Sequence, residues 1–219
     1  MTLRAALIAF LTTISSRSRR RRMQSLLRQF PVTTSTKILD VGGVPGFWKD
    51  VPQQPFLVLL NMARTGDELA GSTHAVIGDA RTLPFADRSF DLVVSNSVIE
   101  HVGDRASQAQ FAGEVVRVGR SYWVQTPNRW FPVEQHLYTP FVHWLPRSWQ
   151  RVLVPRFTVW SAVMQVSGER RRFYLEHYLA DIRLLGADDL RRLFPEATVV
   201  RERLLGCTKS LIVFRTDRR

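Results

Sequence analysis

The segment KILDVGGVPGFW, residues 37–48, constrains the fold of this chain more than any other stretch. Its apolar run after Lys37 is typical of a short parallel strand that is buried on both faces. Glycines follow directly, and residues without a Cβ let a backbone turn sharply and approach a ligand closely. These are Gly42, Gly43 and Gly46. A buried strand, a glycine-rich turn and a helix in this order predict a nucleotide-type site at the carboxyl end of the strand.

A second buried strand is predicted for residues 56–60, FLVLL, and Asn61 ends it. Asn61 lies 21 positions after Asp40. In dinucleotide-binding folds an acidic residue about 20 residues after the glycine turn accepts hydrogen bonds from a ribose. An amide can accept and donate such bonds, although it lacks the charge that strengthens them. Asn61 is therefore a candidate ribose contact, and equally a polar strand end that faces water.

Residues 75–102, AVIGDARTLPFADRSFDLVVSNSVIEHV, contain two more short strands and the turns that end them. This segment resembles the small type 11 group of class I methyltransferases that depend on S-adenosylmethionine. In that group a strand ends in GDA, LPF follows, and FDLVVSNSVIEHV forms the fourth strand and its active-site turn. The resemblance covers residues 37–128 in the same order and spacing. It implies an α/β fold, a doubly wound, Rossmann-like, mostly parallel seven-stranded sheet with helices on both faces.

The resemblance also implies S-adenosylmethionine as the cofactor. Asp40 and the backbone of the glycine turn would hold the amino acid end of the cofactor. Asp79 would accept a hydrogen bond from the adenine amine, a charge-assisted bond of about twice the ordinary strength, and the alternative for Asp79 is an ordinary turn or cap aspartate. Ala80 would flank the adenine ring. Together with Asn61, the candidate cofactor-binding residues are Asp40, Gly42, Gly43, Gly46, Asp79, Ala80 and Asn96.

The glycine turn departs from the family pattern at one position. The usual loop reads DxGxGxG, whereas residues 40–46 read DVGGVPG. Val44 stands in the place of the middle glycine, and Pro45 stiffens the turn. A cofactor-binding module without catalysis is therefore one of the functions that the sequence leaves open.

The composition fits one globular domain, residues 31–219, behind a basic N-terminal helical segment, residues 1–30. After a predicted fifth strand at residues 121–128, the helix and antiparallel strands of the usual domain resume only near residue 185. Residues 129–185 are thus an insertion after strand 5, rich in Trp, Phe, Pro and Arg. We call them the lid segment and expect a helical lid for the methyl acceptor.

Methyl transfer to a hydroxyl needs a group that aligns the acceptor and removes its proton. A histidine near its ordinary pKa suits that task. His136 is the favoured base, because Glu134, two positions earlier, would share its face in an extended segment and could orient the imidazole. His101 in the active-site turn is the rival base. For each histidine a purely structural contact is the alternative.

We expect no metal, because the acidic residues show no convincing ligand spacing. The one cysteine, Cys207, has no companion for a disulfide or a metal site, and we expect it in the core. A chain of this kind fits a reducing cytosol.

The net charge of +12 is concentrated at the N-terminus, where residues 1–22 carry six arginines and no acid. The rest of the chain carries only +6, so a nucleic-acid partner is less favoured than a small molecule. Relatives of this fold that methylate base amines carry an Asn-Pro-Pro-aromatic turn after the fourth strand, and here that turn reads SNSVIEHV. Base N-methylation is therefore disfavoured, while RNA ribose methylation stays open.

The N-terminal segment is too short in apolar residues to span a membrane, and no cleavage site follows it. A set of its apolar residues falls on one side of a predicted helix ahead of the arginines. This pattern favours peripheral contact of residues 1–22 with an anionic membrane, with a solvated, frayed helix as the equal alternative. We expect a cytoplasmic protein, peripheral on the inner face of the membrane. The apolar set is Leu3, Leu7, Phe10, Leu11 and Ile14.

These patterns predict a methyltransferase that acts on a hydroxyl of a glycan, a lipid-linked compound or another small metabolite. An aromatic lid segment suits stacking on sugar rings, and its arginines could meet a phosphate or a carboxylate. Methylation of RNA or of a quinone precursor, and cofactor binding without catalysis, are the alternatives. The acceptor and the oligomeric state do not follow from the sequence.

Overall fold

The computed structural model describes residues 3–63, 71–164 and 168–217. The strands are β1 Lys37–Val41, β2 Phe56–Asn61, β3 Thr73–Ile77, β4 Phe90–Asn96, β5 Gly119–Pro127, β6 Val133–Glu134, β7 Thr139–Pro140, β8 Thr198–Leu204 and β9 Cys207–Arg215. The α-helices are α1 Leu3–Gln29, α2 Pro45–Trp48, α3 Arg105–Val118, α4 Arg147–Leu153, α5 Val159–Met164, α6 Gly168–Asp181 and α7 Ala187–Leu193. Short 3₁₀ helices lie at Ile99–His101 and Val142–Trp144.

The main sheet has seven strands in the order β3-β2-β1-β4-β5-β9-β8. Strands β1 to β5 run parallel, and β9 pairs antiparallel with both β5 and β8. The chain leaves β1 towards β2 on one side and later returns to place β4 on the other, so the direction of winding reverses there. Open α/β sheets bind ligands outside the carboxyl ends of their strands at such a reversal. The predicted doubly wound, mostly parallel sheet is confirmed.

Side chains of each strand alternate between two cores, one on each face of the sheet. In β1, Ile38 points into the core that includes Leu26 of α1 and Trp48 of α2. The next residue, Leu39, points into the opposite core, which includes Phe111 of α3 and residues of α7. Burial on both faces explains why the strands read as continuous apolar runs. Helices therefore cover both faces of the sheet, as the sequence predicted.

Helix α1 packs on the sheet through its C-terminal part, where Met23 and Leu26 are buried. Arg22 lies one turn before Leu26 and faces inward as well, where it pairs with Glu202 at 2.9 Å and donates to Gln125 Oε1 at 2.8 Å. The expectation that the whole arginine run faces a membrane is therefore wrong for Arg22, because helical periodicity turns it towards the sheet.

The remaining arginines of that run are exposed: Arg17, Arg19, Arg20 and Arg21. The apolar set proposed as a membrane anchor, Leu3, Leu7, Phe10, Leu11 and Ile14, lies outside the residues whose side chains are described. Among the described residues, none of the helices combines the length and the apolar character that crossing a bilayer requires.

The lid segment leaves β5 and forms the hairpin β6–β7, a 3₁₀ turn, and helices α4 to α6 before α7 begins. It has a small core of its own, which includes Leu137, Val154, Leu175 and Tyr178. Its two ends meet where Arg129 N donates to the Leu185 carbonyl at 2.9 Å. The base of the segment is thus tied together beside the end of β5.

Cys207 is exposed, so the expectation of a core position is wrong. It begins β9 directly after the tight turn from β8, where Leu205 has φ +50° and Gly206 has φ +82°. Two successive residues with positive φ are typical of a two-residue hairpin turn, and side chains beside such a turn face solvent.

Candidate active site

The glycine turn after β1 has little room for side chains. Gly42 has φ +74°, and a Cβ there would lie 2.3 Å from Cγ2 of Val98. A Cβ at Gly43 would lie 2.2 Å from Oδ2 of Asp40. At Gly46, by contrast, a Cβ would meet no described atom within 4 Å. The first two glycines let the turn pack against Asp40 and the turn after β4, and the third leaves open space.

Asp40, the last but one residue of β1, carries a fully buried carboxyl group whose two oxygens differ. Oδ2 accepts a hydrogen bond of 2.7 Å from Trp48 Nε1, and Oδ1 has no partner among the described residues. Burial raises the pKa of Asp40 to about 7, although the Trp48 bond acts in the opposite direction. A buried acceptor without a partner costs free energy until a donor reaches it, and the ammonium of an amino acid is such a donor.

Two asparagines lie at the neighbouring strand ends. Asn61 closes β2, and its Nδ2 donates to the Gly43 carbonyl at 3.0 Å, which holds the glycine turn against β2. Asn96 closes β4, and its buried Oδ1 has no hydrogen-bond partner in the part of the chain that the structure describes. Asn96 is thus, after Asp40, a second buried acceptor at this edge that lacks a described donor. The ribose contact of Asn61 stays a prediction.

Asp79 and Ala80 follow β3 by two and three positions. Arg81 Nε lies 3.0 Å from each oxygen of the Asp79 carboxylate, and these bonds lower the pKa of Asp79. Asp79 is therefore ionised, as an acceptor for an exocyclic amine should be. Arg81 nevertheless holds the carboxylate from one side. Ala80 is buried beside it at 8% exposure, so it would present only a small apolar surface to a ring.

The turn after β4 and the hairpin of the lid segment bring both predicted bases together with Glu134. His136 Nδ1 donates to Glu134 Oε1 at 2.7 Å, and Leu137 N donates to the other oxygen at 2.6 Å. Glu134 is buried, so both bonds form in a protected environment. His136 Nε2 lies 3.2 Å from His101 Nε2.

These contacts determine the proton positions on the His136 ring. A carboxylate only accepts, so Nδ1 carries the proton and Nε2 of a neutral His136 carries the lone pair. Burial by itself lowers the pKa of His136, but the hydrogen bond and charge of Glu134, with the charge of Glu100, outweigh it and raise that pKa. Burial lowers the pKa of His101 to about 4, and the neighbouring His136 and His177 add to the effect. His136 is therefore the stronger base of the pair.

Glu100 also belongs to this group, although sequence reasoning did not assign it a role. It is fully buried, Thr126 Oγ1 donates to its Oε2 at 2.9 Å, and its Oε1 has no partner among the residues that the structure describes. Burial raises the pKa of Glu100 to about 7. A signal existed in the sequence, because Glu100 directly follows the apolar pair Val98 and Ile99, and a glutamate is seldom fully buried without a partner. We call Glu100, His101, Glu134 and His136 the histidine cluster.

The histidine cluster could also hold a cation. Ligand atoms of Glu100, His101 and His136 lie within 4.8 Å of one another. Two imidazoles and one carboxylate are a common ligand set for divalent transition metals. The sequence did not predict this set, because Glu100 and His136 are far apart in the chain and meet only in the folded protein.

A cavity of about 410 Å³ lies next to the histidine cluster, between the lid segment and the start of α3. Tyr178 lines it, and the Tyr178 ring centroid is 6.4 Å from that of His136. Arg183 also lines it, and Arg183 N donates to the Glu100 carbonyl at 2.8 Å. We call it the arginine cavity, after Arg105, Arg129, Arg147 and Arg183 in its wall.

Known proteins resemble this chain in sequence. Residues 56–121 match a family model described as Methyltransferase domain. A protein of Encephalitozoon cuniculi (strain GB-M1), named as a methyltransferase, is 38% identical over 106 residues, which are 45% of this chain and 49% of that protein. The chain thus spans about half the length of this curated relative.

Solved structures resemble it in fold. The PH0226 protein of Pyrococcus horikoshii OT3 aligns with a TM-score of 0.52 and 18% identity over 91% of this chain and 89% of its own. Phosphoethanolamine N-methyltransferase 2 of Haemonchus contortus, solved in complex with S-adenosyl-L-methionine, aligns with a TM-score of 0.53 and 14% identity over 83% of this chain and 38% of its own. At these identities the likeness concerns the fold alone. The family match and the shared fold together confirm the resemblance to class I methyltransferases.

Proposed function

We propose that this protein is an S-adenosylmethionine-dependent methyltransferase that methylates a hydroxyl group of a glycan, a lipid-linked compound or another small metabolite. The observation that carries the proposal is the Glu134–His136 pair, whose 2.7 Å hydrogen bond leaves Nε2 as the basic nitrogen. A hydroxyl must lose its proton as it becomes methylated, and an oriented histidine removes protons near neutral pH.

The glycine turn packs against the turn after β4, which carries His101, the neighbour of this base. Val98 would touch a Cβ at Gly42, and the carbonyl of Val98 accepts from His101 N at 2.7 Å. The residues at the strand ends fit the cofactor, because Asp40 Oδ1 and Asn96 Oδ1 are buried acceptors without described partners. Asp40 would receive the amino group, and Asp79 the adenine amine. When bound there, S-adenosylmethionine supplies a methyl group that is activated by a sulfonium.

His136 performs the proton transfer in this proposal. His136 Nε2 would take the proton of the acceptor hydroxyl, while S-adenosylmethionine held at the strand ends would supply the methyl group. Glu134 stabilises the imidazolium that forms, because a buried carboxylate at 2.7 Å attracts the new charge strongly. His101, with its pKa lowered to about 4, stays neutral and acts as a hydrogen-bond donor to the acceptor oxygen, which leaves the lone pair of His136 Nε2 free for the proton.

Peripheral membrane contact is part of the same proposal. The exposed residues Arg17, Arg19, Arg20 and Arg21 support it, since each basic side chain near an anionic surface contributes about 1 kcal/mol. Binding to vesicles with and without anionic lipid, at two salt concentrations, tests this contact.

Calorimetric titration with S-adenosylmethionine and S-adenosylhomocysteine tests the proposal first. We expect micromolar binding, followed by transfer of a labelled methyl group to a hydroxyl acceptor in a screen of glycans, lipid-linked sugars and RNA. Absence of binding to the folded protein would overturn the proposal. Binding with no transfer to any hydroxyl would favour a cofactor-binding module, and transfer to RNA alone would move the acceptor to another class.

A further inference from the structure

The arginine cavity holds more positive charge than its surroundings neutralise. Arg105 and Arg129 share one carboxylate, Asp189, at 3.4 and 3.2 Å. Within the described ranges, Arg147 and Arg183 form no ion pair with a carboxylate. Their side chains donate instead to a backbone carbonyl, that of Ile182, and Arg147 also donates to Gln150.

Two guanidinium groups on one carbonyl repel each other in a partly buried place. Burial lowers the pKa of Arg147, and the charge of Arg183 lowers it further. An anion placed between the two groups would remove that repulsion and accept charge-assisted hydrogen bonds from both. Guanidinium groups match the oxygen geometry of phosphate and carboxylate, and two guanidinium groups that have no ion-pair partner within the described ranges favour the doubly charged phosphate.

Two further polar atoms in the cavity wall also lack partners in the part of the chain that is described. One is Arg129 Nε, a donor, and the other is His143 Nδ1. His143 Nε2 lies 3.0 Å from the Arg129 carbonyl, to which it must donate, so Nδ1 of the neutral ring is an acceptor. Burial lowers the pKa of His143, which keeps the ring neutral. Both atoms are buried behind the cavity surface, so the charged groups that a ligand meets directly are the guanidinium groups of Arg147 and Arg183.

Aromatic side chains complete the wall. Trp130 and Trp144 are 64% and 45% exposed, which is high for tryptophan in a folded domain. The Arg129 guanidinium lies over the Trp130 ring, 5.1 Å from its centroid, and this cation–π contact stabilises the position of the ring. Exposed tryptophans beside hydrogen-bonding groups are suited to stacking on the apolar face of a sugar.

From this arrangement we propose that the arginine cavity binds the phosphate group of a phosphorylated sugar, and that this phosphate presents the sugar hydroxyl to the histidine cluster. Phosphate binding does not depend on the proposed methyltransferase function, and only the presentation of the sugar hydroxyl to the histidine cluster rests on it. Arg147 and Arg183 bind the phosphate oxygens, and the exposed rings of Trp130 and Trp144 stack on the sugar. Tyr178 and the Arg183 backbone place this ligand beside His136 and Glu100.

Binding of inorganic phosphate and of glucose 1-phosphate, measured by calorimetry at two salt concentrations without cofactor, tests the site itself. We expect saturable binding of glucose 1-phosphate at one site per chain and little binding of glucose. The double variant Arg147→Gln/Arg183→Gln should weaken the binding of glucose 1-phosphate by about tenfold or more. The control variant Arg172→Gln/Arg191→Gln removes the same charge from exposed positions outside the cavity. It should change the affinity for glucose 1-phosphate by less than twofold.

The single variant Arg183→Gln serves as a second test if the double variant does not fold. The only side-chain hydrogen bond of Arg183 within the described ranges is with its neighbour Ile182, so the fold should tolerate its loss. We expect about tenfold weaker binding from this change alone. Equal affinity in the wild type, the cavity variants and the control would overturn the proposal, as would absence of saturable binding.

A second arm identifies the source of the phosphate and separates this inference from the proposed function. The same titration is repeated with a sugar joined through diphosphate to a short polyprenyl chain in detergent. Tighter binding of that compound indicates a lipid-linked acceptor, and tighter binding of glucose 1-phosphate indicates a soluble one; both support phosphate recognition. Phosphate binding without methyl transfer would support the phosphate site and contradict the proposed methyltransferase function. Equal methyl transfer to phosphorylated and unphosphorylated sugars would support the methyltransferase function and contradict the phosphate site.

Discussion

The two halves of the candidate site are built in different ways. The cofactor edge takes its residues from one sequence stretch, between Asp40 and Asn96, and several of its polar groups pair with one another, as in Asn61 with Gly43 and Asp79 with Arg81. The acceptor side takes its residues from the turn after β4, the lid segment and α3, and its charges are only partly neutralised. The family match at residues 56–121 falls on the cofactor edge and leaves out the lid segment, and we expect substrate choice to depend on the acceptor side.

Replacing His136 should give the largest effect and should affect the acceptor side alone. His136→Ala removes the proposed base, so we expect turnover to fall by about 10² or more. Cofactor affinity should change by less than twofold, because His136 belongs to the lid segment and not to the strand ends. Steady-state turnover and calorimetry on the same preparation check the two halves of this expectation.

His74→Ala is the matched control for this change, because His74 is an exposed histidine on β3. It should leave both quantities unchanged. If His136→Ala kept its turnover while His101→Ala lost it, the base would be His101 despite its lowered pKa.

Replacing Asp79 should give the next largest effect and should affect only the cofactor edge. Loss of a charge-assisted hydrogen bond of about 1.5–3 kcal/mol predicts cofactor binding weaker by roughly ten- to hundredfold in Asp79→Ala. Turnover at saturating cofactor should be retained. Asp87→Ala, which removes an exposed carboxylate that pairs with Arg117, is the control.

Replacing Arg81 gives a second test of the role of Asp79. It holds the Asp79 carboxylate, so Arg81→Gln should preserve or strengthen cofactor binding if Asp79 accepts from the adenine amine. Unchanged affinity in Asp79→Ala would mean that the Arg81 pair is the whole role of Asp79.

The pH dependence of cofactor binding should report on Asp40. With its pKa raised to about 7, this carboxyl is about one-tenth ionised at pH 6 and about nine-tenths ionised at pH 8. Only the ionised form attracts an ammonium strongly, so affinity should rise by about tenfold between these values. Asp40→Asn can still accept from Trp48 but does not titrate, and its affinity should lack this rise. An equal pH profile in both proteins, measured by calorimetry, would argue against contact between Asp40 and the amino group.

The cofactor edge could be anticipated from the sequence because it depends on local patterns. Strand, glycine turn and strand-end residue recur at fixed spacing, and a parallel sheet brings its carboxyl ends to one edge. The pairing of Glu134 with His136 was also predictable, since the two are close in the chain. The prediction for Arg22 was wrong because the rotation of α1 about its axis decides which arginine faces the sheet. The prediction for Cys207 was wrong because a hairpin turn directly precedes it.

The acceptor side could be anticipated only in part. Glu100 and His136 meet because the β6–β7 hairpin folds over the turn after β4, and no periodicity encodes that contact. The arginine cavity likewise joins Arg105 of α3 with Arg183, which follows α6, although the arginines of the lid segment had suggested an anionic ligand. Long-range packing of this kind depends on side-chain fit across elements, which a single sequence does not display.

Removal of metal ions should have the smallest effect, and it tests the chemistry assigned to the acceptor side. The base that we propose needs a free lone pair on His136 Nε2, and a metal on that atom would exclude proton transfer to it. Turnover after dialysis against EDTA should therefore stay within twofold of the untreated enzyme. A loss that Zn²⁺ or Mn²⁺ restores would instead assign Glu100, His101 and His136 as ligands, which their mutual distances permit. In that case a metal-bound hydroxyl would replace the histidine base, and the His136→Ala effect would have to be attributed to metal loss.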